Sequence, residues 1–187
     1  MKLNNYNNLL ELFFDQYEKQ DKNNIFLINL GNPKHKLSWE KTYLLVNHLS
    51  NQISKDIKLG DRCVLISENR PEWMISDLAI MLAGGISVPS YTTYTTKDYE
   101  YIIKDCEPSV LIVSNNTQFN KIKDILDYKK IKKIISFDRL ENMKFQNYLC
   151  IEDIINKKDG FENFDSEISL KRSDPACIIY TSGTQGN

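Results

Sequence analysis

Residues 63–89, CVLISENRPEWMISDLAIMLAGGISVP, predict the fold class of this protein. Their two apolar runs, Cys63–Ile66 and Ile86–Pro89, have the length of buried strands, and Pro71–Ala83 between them has the length of a helix. Pro71 suits the first helical turn, where its missing N–H group needs no partner. A strand, a helix and a second strand joined by short loops predict two parallel strands, because the helix carries the chain back to the starting edge.

The same alternation continues toward the C-terminus. Thr95 and Asp98 have the spacing of a capping box, which predicts the start of a helix. The further predicted elements are strands Val110–Val113 and Ile131–Ser136 and helices Lys97–Cys106 and Gln118–Lys129. Short apolar strands that alternate with helices predict an α/β fold, a doubly wound and mainly parallel sheet with flanking helices.

The residues before this repeat follow a different pattern. They predict a helix from Leu9, strands Ile25–Leu30 and Lys36–Ser38, and a second helix capped by Ser38. We therefore divide the chain into an N-terminal helix and hairpin module, residues 1–60, and a βα-repeat part, residues 61–187.

The composition excludes several classes of protein. The 187 residues carry 24 basic and 25 acidic side chains, a net charge of -1, which argues against nucleic-acid binding. The longest uncharged run, residues 78–96, contains two glycines and a proline and does not resemble a membrane span, and no secretory signal is present. Four widely spaced cysteines and two histidines predict no metal site and reduced, cytoplasmic thiols.

The end of the chain holds the one candidate for chemistry. A strand near Tyr148–Cys150 and a short helix Glu152–Lys157 precede a predicted apolar strand, Ala176–Tyr180. The following glycines, Gly183 and Gly186, can adopt positive φ and let backbone N–H groups converge on an anion. Hydroxyl donors for phosphate oxygens come from Thr181, Ser182 and Thr184. The residue types alone allow either a phosphate-binding loop or a plain turn, and the common P-loop pattern with its lysine is absent.

The segment Tyr180–Gly186, YTSGTQG, resembles the phosphate-loop signature of the adenylate-forming superfamily, whose pattern reads [YF]-T-S-G-[ST]-T-G-x-P-K-G. Gln185 departs from the usual threonine at a tolerant position. Leu59–Val64 resembles the superfamily's G-D-R-V segment, and Ser67–Trp73 and Val88–Thr93 resemble the long-chain fatty acyl-CoA synthetase branch. The resemblance extends from about Leu37 to the last residue.

This resemblance implies a two-step reaction in which a fatty acid and ATP form an acyl-adenylate and pyrophosphate, and coenzyme A then displaces AMP. It implies ATP, Mg²⁺ and coenzyme A as cofactors and co-substrates of the full-length enzyme. It also implies a cytoplasmic enzyme with possible peripheral association at a membrane. The positions that match the phosphate-loop motif, and are therefore assigned to binding the β- and γ-phosphates, are Thr181, Ser182, Gly183, Thr184 and Gly186.

The sequence ends where the pattern continues with Pro-Lys-Gly, and it contains none of the superfamily's later motifs. We therefore expect an N-terminal fragment that is inactive alone and carries no catalytic residue. Three alternatives stay open: a related enzyme that activates an aryl or amino acid, a non-catalytic binding module, and a half-enzyme completed by a second chain.

Other conspicuous residues receive structural interpretations. Asn69–Trp73 is read as a helix start with Trp73 in the core, and His35 and His48 receive no role. Four tyrosines are assigned to surface and interdomain packing: Tyr91, Tyr94, Tyr99 and Tyr101. A basic run is assigned to a solvated helix: Lys121, Lys123, Lys129, Lys130, Lys132 and Lys133.

Overall fold

A computed structural model describes residues 5–32, 35–155 and 170–181 of the chain. Its helices are α1 (Leu9–Lys19), α2 (Trp39–Ser54), α3 (Pro71–Leu82), α4 (Thr96–Cys106), α5 (Asn116–Ile122) and α6 (Ile151–Ile155). Its strands are β1 (Ile25–Ile28), β2 (Lys36–Ser38), β3 (Arg62–Ile66), β4 (Ile86–Ser90), β5 (Val110–Val113), β6 (Lys133–Ser136) and β7 (Tyr148–Cys150).

The main sheet has five parallel strands in the order β4-β3-β5-β6-β7, and β1 and β2 form a separate antiparallel hairpin. The predicted α/β class and parallel sheet are therefore confirmed. The chain places β4 on one side of β3 and then crosses to place β5 on the other side. This reversal between β3 and β5 is the switch point at which ligands commonly bind in doubly wound sheets.

Helices cover both faces of the sheet, as the alternation along β3 demonstrates. Cys63 and Leu65 point into a core shared with α1, α2, α3 and α6, whereas Val64 and Ile66 point into a core shared with α4 and α5. All four side chains are fully buried. Because both faces are buried, the strand is apolar along its whole length instead of alternating with polar residues.

The predicted helix starts at Ser38 and Thr95 are confirmed. The Ser38 hydroxyl accepts a hydrogen bond from the Lys41 N–H at 3.1 Å. Thr95 and Asp98 form the complete capping box, with the Asp98 carboxylate accepting from the Thr95 N–H at 2.8 Å. Each cap supplies an acceptor to an amide that the helix itself leaves without one.

The helix predicted at Gln118–Lys129 ends at Ile122 instead. The last part of the predicted helix forms a separate turn, in which the Asp127 carboxylate accepts from the Lys129 N–H at 3.0 Å and the Asp127 carbonyl accepts from the Lys130 and Ile131 N–H groups. This turn also delays the next strand, which begins at Lys133 and not at Ile131. Local side-chain bonding to the backbone thus outcompeted the helix.

Two other predicted strands are shorter than expected. The strand predicted at Ile25–Leu30 ends at Ile28 because the Asn29 side chain accepts from the Gly31 N–H at 2.9 Å and turns the chain. The strand predicted at Ala176–Tyr180 forms only a single parallel bridge, between Cys177 and Ser87 of β4. The short helix predicted at Glu152–Lys157 is observed as α6, and its last two predicted residues lie outside the described ranges.

Two surface assignments were wrong. Lys133 does not lie on a solvated helix but is buried at the start of β6, where its ammonium group is 2.8 Å from an Asp56 carboxylate oxygen. Tyr99, assigned to surface packing, is fully buried, and its hydroxyl donates to the Tyr91 carbonyl at 2.7 Å. The polar group of each side chain has a partner inside the protein, and this interaction offsets the free-energy cost of burying the group.

Candidate functional site

The carboxyl ends of β3 and β4 and the segment after Cys177 meet at one edge of the sheet. The bridge that joins this segment to β4 is parallel, with the Ile178 N–H donating to the Ser87 carbonyl at 2.9 Å and the Ser87 N–H donating to the Ala176 carbonyl at 3.1 Å. The segment therefore runs in the same direction as the strands and delivers Thr181 to their carboxyl ends. Open parallel sheets bind ligands at this edge.

A cavity of about 480 Å³ lies at this edge, a volume within the range of small-molecule sites. Two aromatic rings, a proline and an aliphatic side chain supply apolar surface, and hydroxyl, amide and carboxylate groups supply the rest. The lining residues are Ser67, Glu68, Asn69, Trp73, Pro89, Ser90, Tyr91, Thr92 and Ile179. Ile179 is two residues before Thr181, so the predicted phosphate loop begins beside this cavity.

Glu68 joins the cavity to the switch point of the sheet. Its carboxylate accepts a hydrogen bond at 3.1 Å from the side chain of Gln118, which follows β5. Partial burial acts to raise the pKa of Glu68, but the hydrogen bond from Gln118 and the positive charge of Arg70 act to lower it, and the net shift is downward. The pKa of Glu68 is therefore lowered and the group is a carboxylate at neutral pH. A carboxylate suits a cationic or hydrogen-bond-donating group and repels phosphate oxygens.

The predicted loop residues fall mostly outside the part of the chain that the structure describes. Thr181 is described and exposed, whereas Ser182, Gly183, Thr184 and Gly186 lie beyond the described residues. Of the five predicted residues, the structure describes Thr181, which lies two positions after the cavity-lining Ile179, and the assignment of all five to phosphate binding stays a prediction.

A cluster of charges that the sequence reading missed holds the loop after β3. The Arg70 guanidinium binds both Asp138 carboxylate oxygens and also contacts Glu72, with Nε 3.3 Å from a Glu72 oxygen. His35 Nδ1 lies 3.7 Å from Glu72. Hydrogen bonding to Asp138 raises the pKa of Arg70, against its partial burial. Arg70 and Glu72 are close in sequence, but Asp138 and His35 are distant from both, so the fold brings the four side chains together.

Three of the four cysteines are buried, and the described residues contain no cluster of metal-ligand side chains. Cys63, Cys106 and Cys150 are buried free thiols, whereas Cys177 is exposed. Burial raises the pKa of Cys63 to about 12 and that of Cys106 to about 11, so neither is a nucleophile at neutral pH. No group of three or more histidine, cysteine, aspartate or glutamate side chains in residues 5–32, 35–155 and 170–181 is arranged to hold a metal ion.

A larger open groove of about 680 Å³ lies between α5 and residues 141–145. It contains none of the predicted site residues, and lysine and carboxylate side chains line it in equal number. Its larger volume alone therefore does not make this groove a better candidate for the ligand site than the cavity at the carboxyl ends of β3 and β4. Among the helices described, none is long and apolar enough to cross a membrane.

Comparison with known proteins provides independent information. Residues 13–187 match the profile of a family described as AMP-binding enzyme. The long-chain-fatty-acid–CoA ligase ACSBG1 of Rattus norvegicus is 29% identical over 164 residues, which cover 82% of this chain and 23% of that protein. The long-chain-fatty-acid–CoA ligase ACSBG2 of Xenopus laevis is 30% identical over 164 residues, which cover 83% of this chain and 22% of that protein.

Solved structures share the fold at lower identity. The R395G mutant of coronafacic acid ligase from Pectobacterium brasiliense superposes with a TM-score of 0.77 and 21% identity, over 92% of this chain and 33% of that chain. The anthranilate CoA ligase AuaEII in complex with anthranoyl-AMP superposes with a TM-score of 0.69 and 21% identity, over 97% of this chain and 32% of that chain. This chain therefore spans less than a quarter of the two curated relatives above and about a third of these structures.

Proposed function

The chain belongs to the AMP-binding enzyme family, and from that premise we propose that the protein containing it is an ATP-dependent, AMP-forming long-chain fatty acid–CoA ligase. The observation that carries the proposal is the likeness to long-chain-fatty-acid–CoA ligases over more than four fifths of the chain. The position of Thr181 supports it, since the predicted phosphate loop starts at the sheet edge where such folds bind ligands.

In the proposed reaction a fatty acid carboxylate attacks the α-phosphorus of ATP. A phosphorus–oxygen bond forms, pyrophosphate leaves with the electron pair of the broken bond, and an acyl-adenylate remains. The coenzyme A thiol then gives up its proton, attacks the acyl carbon and displaces AMP, so the products are a thioester, AMP and pyrophosphate.

We assign the binding of the β- and γ-phosphates to Thr181, Ser182, Gly183, Thr184 and Gly186. Hydroxyl and backbone N–H donors at these positions would stabilise the negative charge that grows on pyrophosphate and would hold the α-phosphorus in line with the attacking carboxylate. The Mg²⁺ that the resemblance implies for the full-length enzyme is assigned to none of the described residues, which contain no group of three or more metal-ligand side chains, and no step of the reaction is assigned to it.

The test is a reaction of the full-length protein with ATP, oleate and coenzyme A, with AMP and oleoyl-CoA as the expected products. Acid-dependent exchange of labelled pyrophosphate into ATP identifies the acid, with oleate expected to exceed benzoate and amino acids. Exchange only with an aryl or amino acid would contradict the fatty acid assignment, and no exchange with any acid would contradict the ligase assignment.

Thr181→Ala tests the phosphate loop within the same assay. We expect a rise of about tenfold in the KM for ATP, because a hydrogen bond to a charged oxygen contributes roughly 1.5 kcal/mol. The matched control is Thr117→Ala, which removes the same side chain from an exposed position on α5 and should leave the KM unchanged. Equal KM values for ATP in both variants would contradict the role of Thr181.

We further propose that the 187-residue chain is inactive by itself, because the relatives it matches are more than four times longer than the matched segment. Thioester formation by the isolated chain would contradict this.

We also propose that the protein is cytoplasmic and associates peripherally with membranes. It should then sediment with membranes, and washing with salt or carbonate should release it.

A further inference from the structure

Tyr180, the residue before the predicted phosphate loop, is held from three directions. The Tyr94 hydroxyl donates to its main-chain carbonyl at 3.0 Å, and its own hydroxyl donates to Asp105 on α4 at 2.5 Å. The ring of Tyr101 packs edge-on against the Tyr180 ring, with centroids 6.0 Å apart. The Tyr180 anchor, as we call Tyr94, Tyr101 and Asp105 together, thus fixes both the main chain and the side chain of this residue.

The hydroxyl of Tyr94 is aimed by its neighbours. The Tyr94 ring packs edge-on against Tyr91 and Tyr99, with centroids 5.4 and 6.0 Å away. Tyr99 is fully buried, and its hydroxyl donates to the main-chain carbonyl of the exposed Tyr91, so a buried side chain supports both rings that contact Tyr94. A donor fixed in this way loses little side-chain freedom when it binds the Tyr180 carbonyl.

The contacts of Tyr94 and of Ser87 fix successive points along one segment. Ser87 sets the register of residues 176–178 against β4 through two main-chain hydrogen bonds. Tyr94 then holds the carbonyl of Tyr180, which is part of the peptide unit that leads directly into Thr181. Among the described residues, no other hydrogen bond reaches a main-chain group between Ile178 and Thr181.

We propose that Tyr94 is a positioning residue for the predicted phosphate loop. Its hydroxyl fixes the main-chain carbonyl of Tyr180 and thereby sets the direction in which the chain enters Thr181. The inference rests on the proposed function. A loop whose N–H groups must converge on phosphate oxygens binds more weakly when its first residue is free to move, because binding must then order it. Loss of the anchor should therefore weaken binding of ATP and leave binding of the fatty acid unchanged.

The test uses Tyr94→Phe in the full-length protein, which removes one hydroxyl and keeps the ring. Tyr128→Phe is a matched control, because its hydroxyl also donates to a main-chain carbonyl, that of Lys123, at 3.0 Å and lies away from the cavity. In the pyrophosphate exchange assay we expect Tyr94→Phe to raise the KM for ATP about fivefold to tenfold with the KM for oleate unchanged. Tyr128→Phe should change neither value.

Hydrogen–deuterium exchange provides a second measurement that does not depend on activity. Peptides that contain Thr181–Gly186 should exchange faster in Tyr94→Phe than in the wild type or in Tyr128→Phe, while peptides from β3 should not differ. If the wild type is active but Tyr94→Phe has an unchanged KM for ATP and unchanged exchange, the inference is wrong and the proposed function stands. If the wild type supports no exchange of pyrophosphate with any acid, the proposed function is wrong, and the deuterium exchange alone decides whether Tyr94 orders the loop.

Discussion

Arg70 binds the two carboxylate oxygens of Asp138 at 2.8 and 2.9 Å, and this pair ties the loop after β3 to the end of β6. The same guanidinium contacts Glu72, whose side chain is only 4% exposed. One side chain therefore both joins two strand ends and compensates a buried negative charge. The loop in question also provides the polar wall of the cavity at Ser67–Asn69.

Arg70→Gln should lower the free energy of unfolding by about 2 kcal/mol, because it leaves the Glu72 carboxylate buried without its main cationic partner. Urea denaturation of the variant measures this loss. Adding Glu72→Gln to Arg70→Gln should recover part of it, since the uncompensated charge is then removed.

The control for Arg70 is Arg139→Gln. Arg139 pairs with Asp153, but both side chains are largely exposed, so the pair should contribute less than about 0.5 kcal/mol. Equal losses in the Arg70 and Arg139 variants would contradict the role given to the buried carboxylate.

Asp61 should make stability depend on pH under acidic conditions. Burial acts to raise its pKa, but hydrogen bonds from the Lys58 N–H at 3.1 Å, the Ser109 hydroxyl at 2.9 Å and Lys132 at 3.3 Å outweigh burial and lower it. Because the folded pKa is lower than the unfolded one, the stabilisation is complete above the unfolded pKa and is lost as the pH falls through the folded value.

In Asp61→Asn, the urea concentration at the midpoint of unfolding should therefore decrease less steeply than in the wild type as the pH falls below about 4. The comparison is Asp124→Asn, which removes an exposed carboxyl group and should keep the wild-type slope. A wild-type slope in Asp61→Asn would show that these hydrogen bonds do not stabilise the folded state.

The four cysteines should differ in reactivity. Cys177 is exposed, whereas Cys63, Cys106 and Cys150 are buried. Brief treatment of the native protein with N-ethylmaleimide, followed by mass spectrometry of peptides, should detect modification at Cys177 alone. All four should react in denaturant, and rapid native labelling of Cys63 would contradict the core described here.

The capping box at the start of α4 should contribute measurably to stability. Thr95→Ala removes the side-chain acceptor for the Asp98 N–H and should lower the unfolding free energy by about 1 kcal/mol. Thr95→Ser keeps an equivalent hydroxyl and should stay within about 0.3 kcal/mol of the wild type. Thermal or urea denaturation of the two variants distinguishes loss of the cap from a general effect of mutation.

The central strands could be predicted to within a residue or two because burial on both faces makes each one a continuous apolar run. Val110–Val113 was predicted with the bounds that the structure has. The end of α5 could not be predicted from periodicity, since lysines and apolar residues continue the helical pattern past Ile122 into the turn at Asp127. The spacing of apolar residues indicates which face of a helix is buried. It does not account for side-chain hydrogen bonds to the backbone, which compete with the helix.

The candidate site was predictable only where a motif is contiguous. Thr181 could be assigned to the predicted phosphate loop because its neighbours in sequence form the motif, and that assignment stays a prediction. Glu68, Gln118 and the Arg70–Asp138 pair were not recognised, because each contact joins residues separated by at least 50 positions. Their chemistry arises from the strand order, in which β5 follows β4 in sequence but lies beside β3 in space.

The bridge between Ser87 and Cys177 also has a consequence for how the chain folds. Its residues are 90 positions apart, whereas β3 and β4 are joined by a single helix and can pair early. Closing so long a loop costs more chain entropy and yields only two main-chain hydrogen bonds in return. We therefore expect the sheet to assemble first and the edge that presents Thr181 to form in the last step of folding.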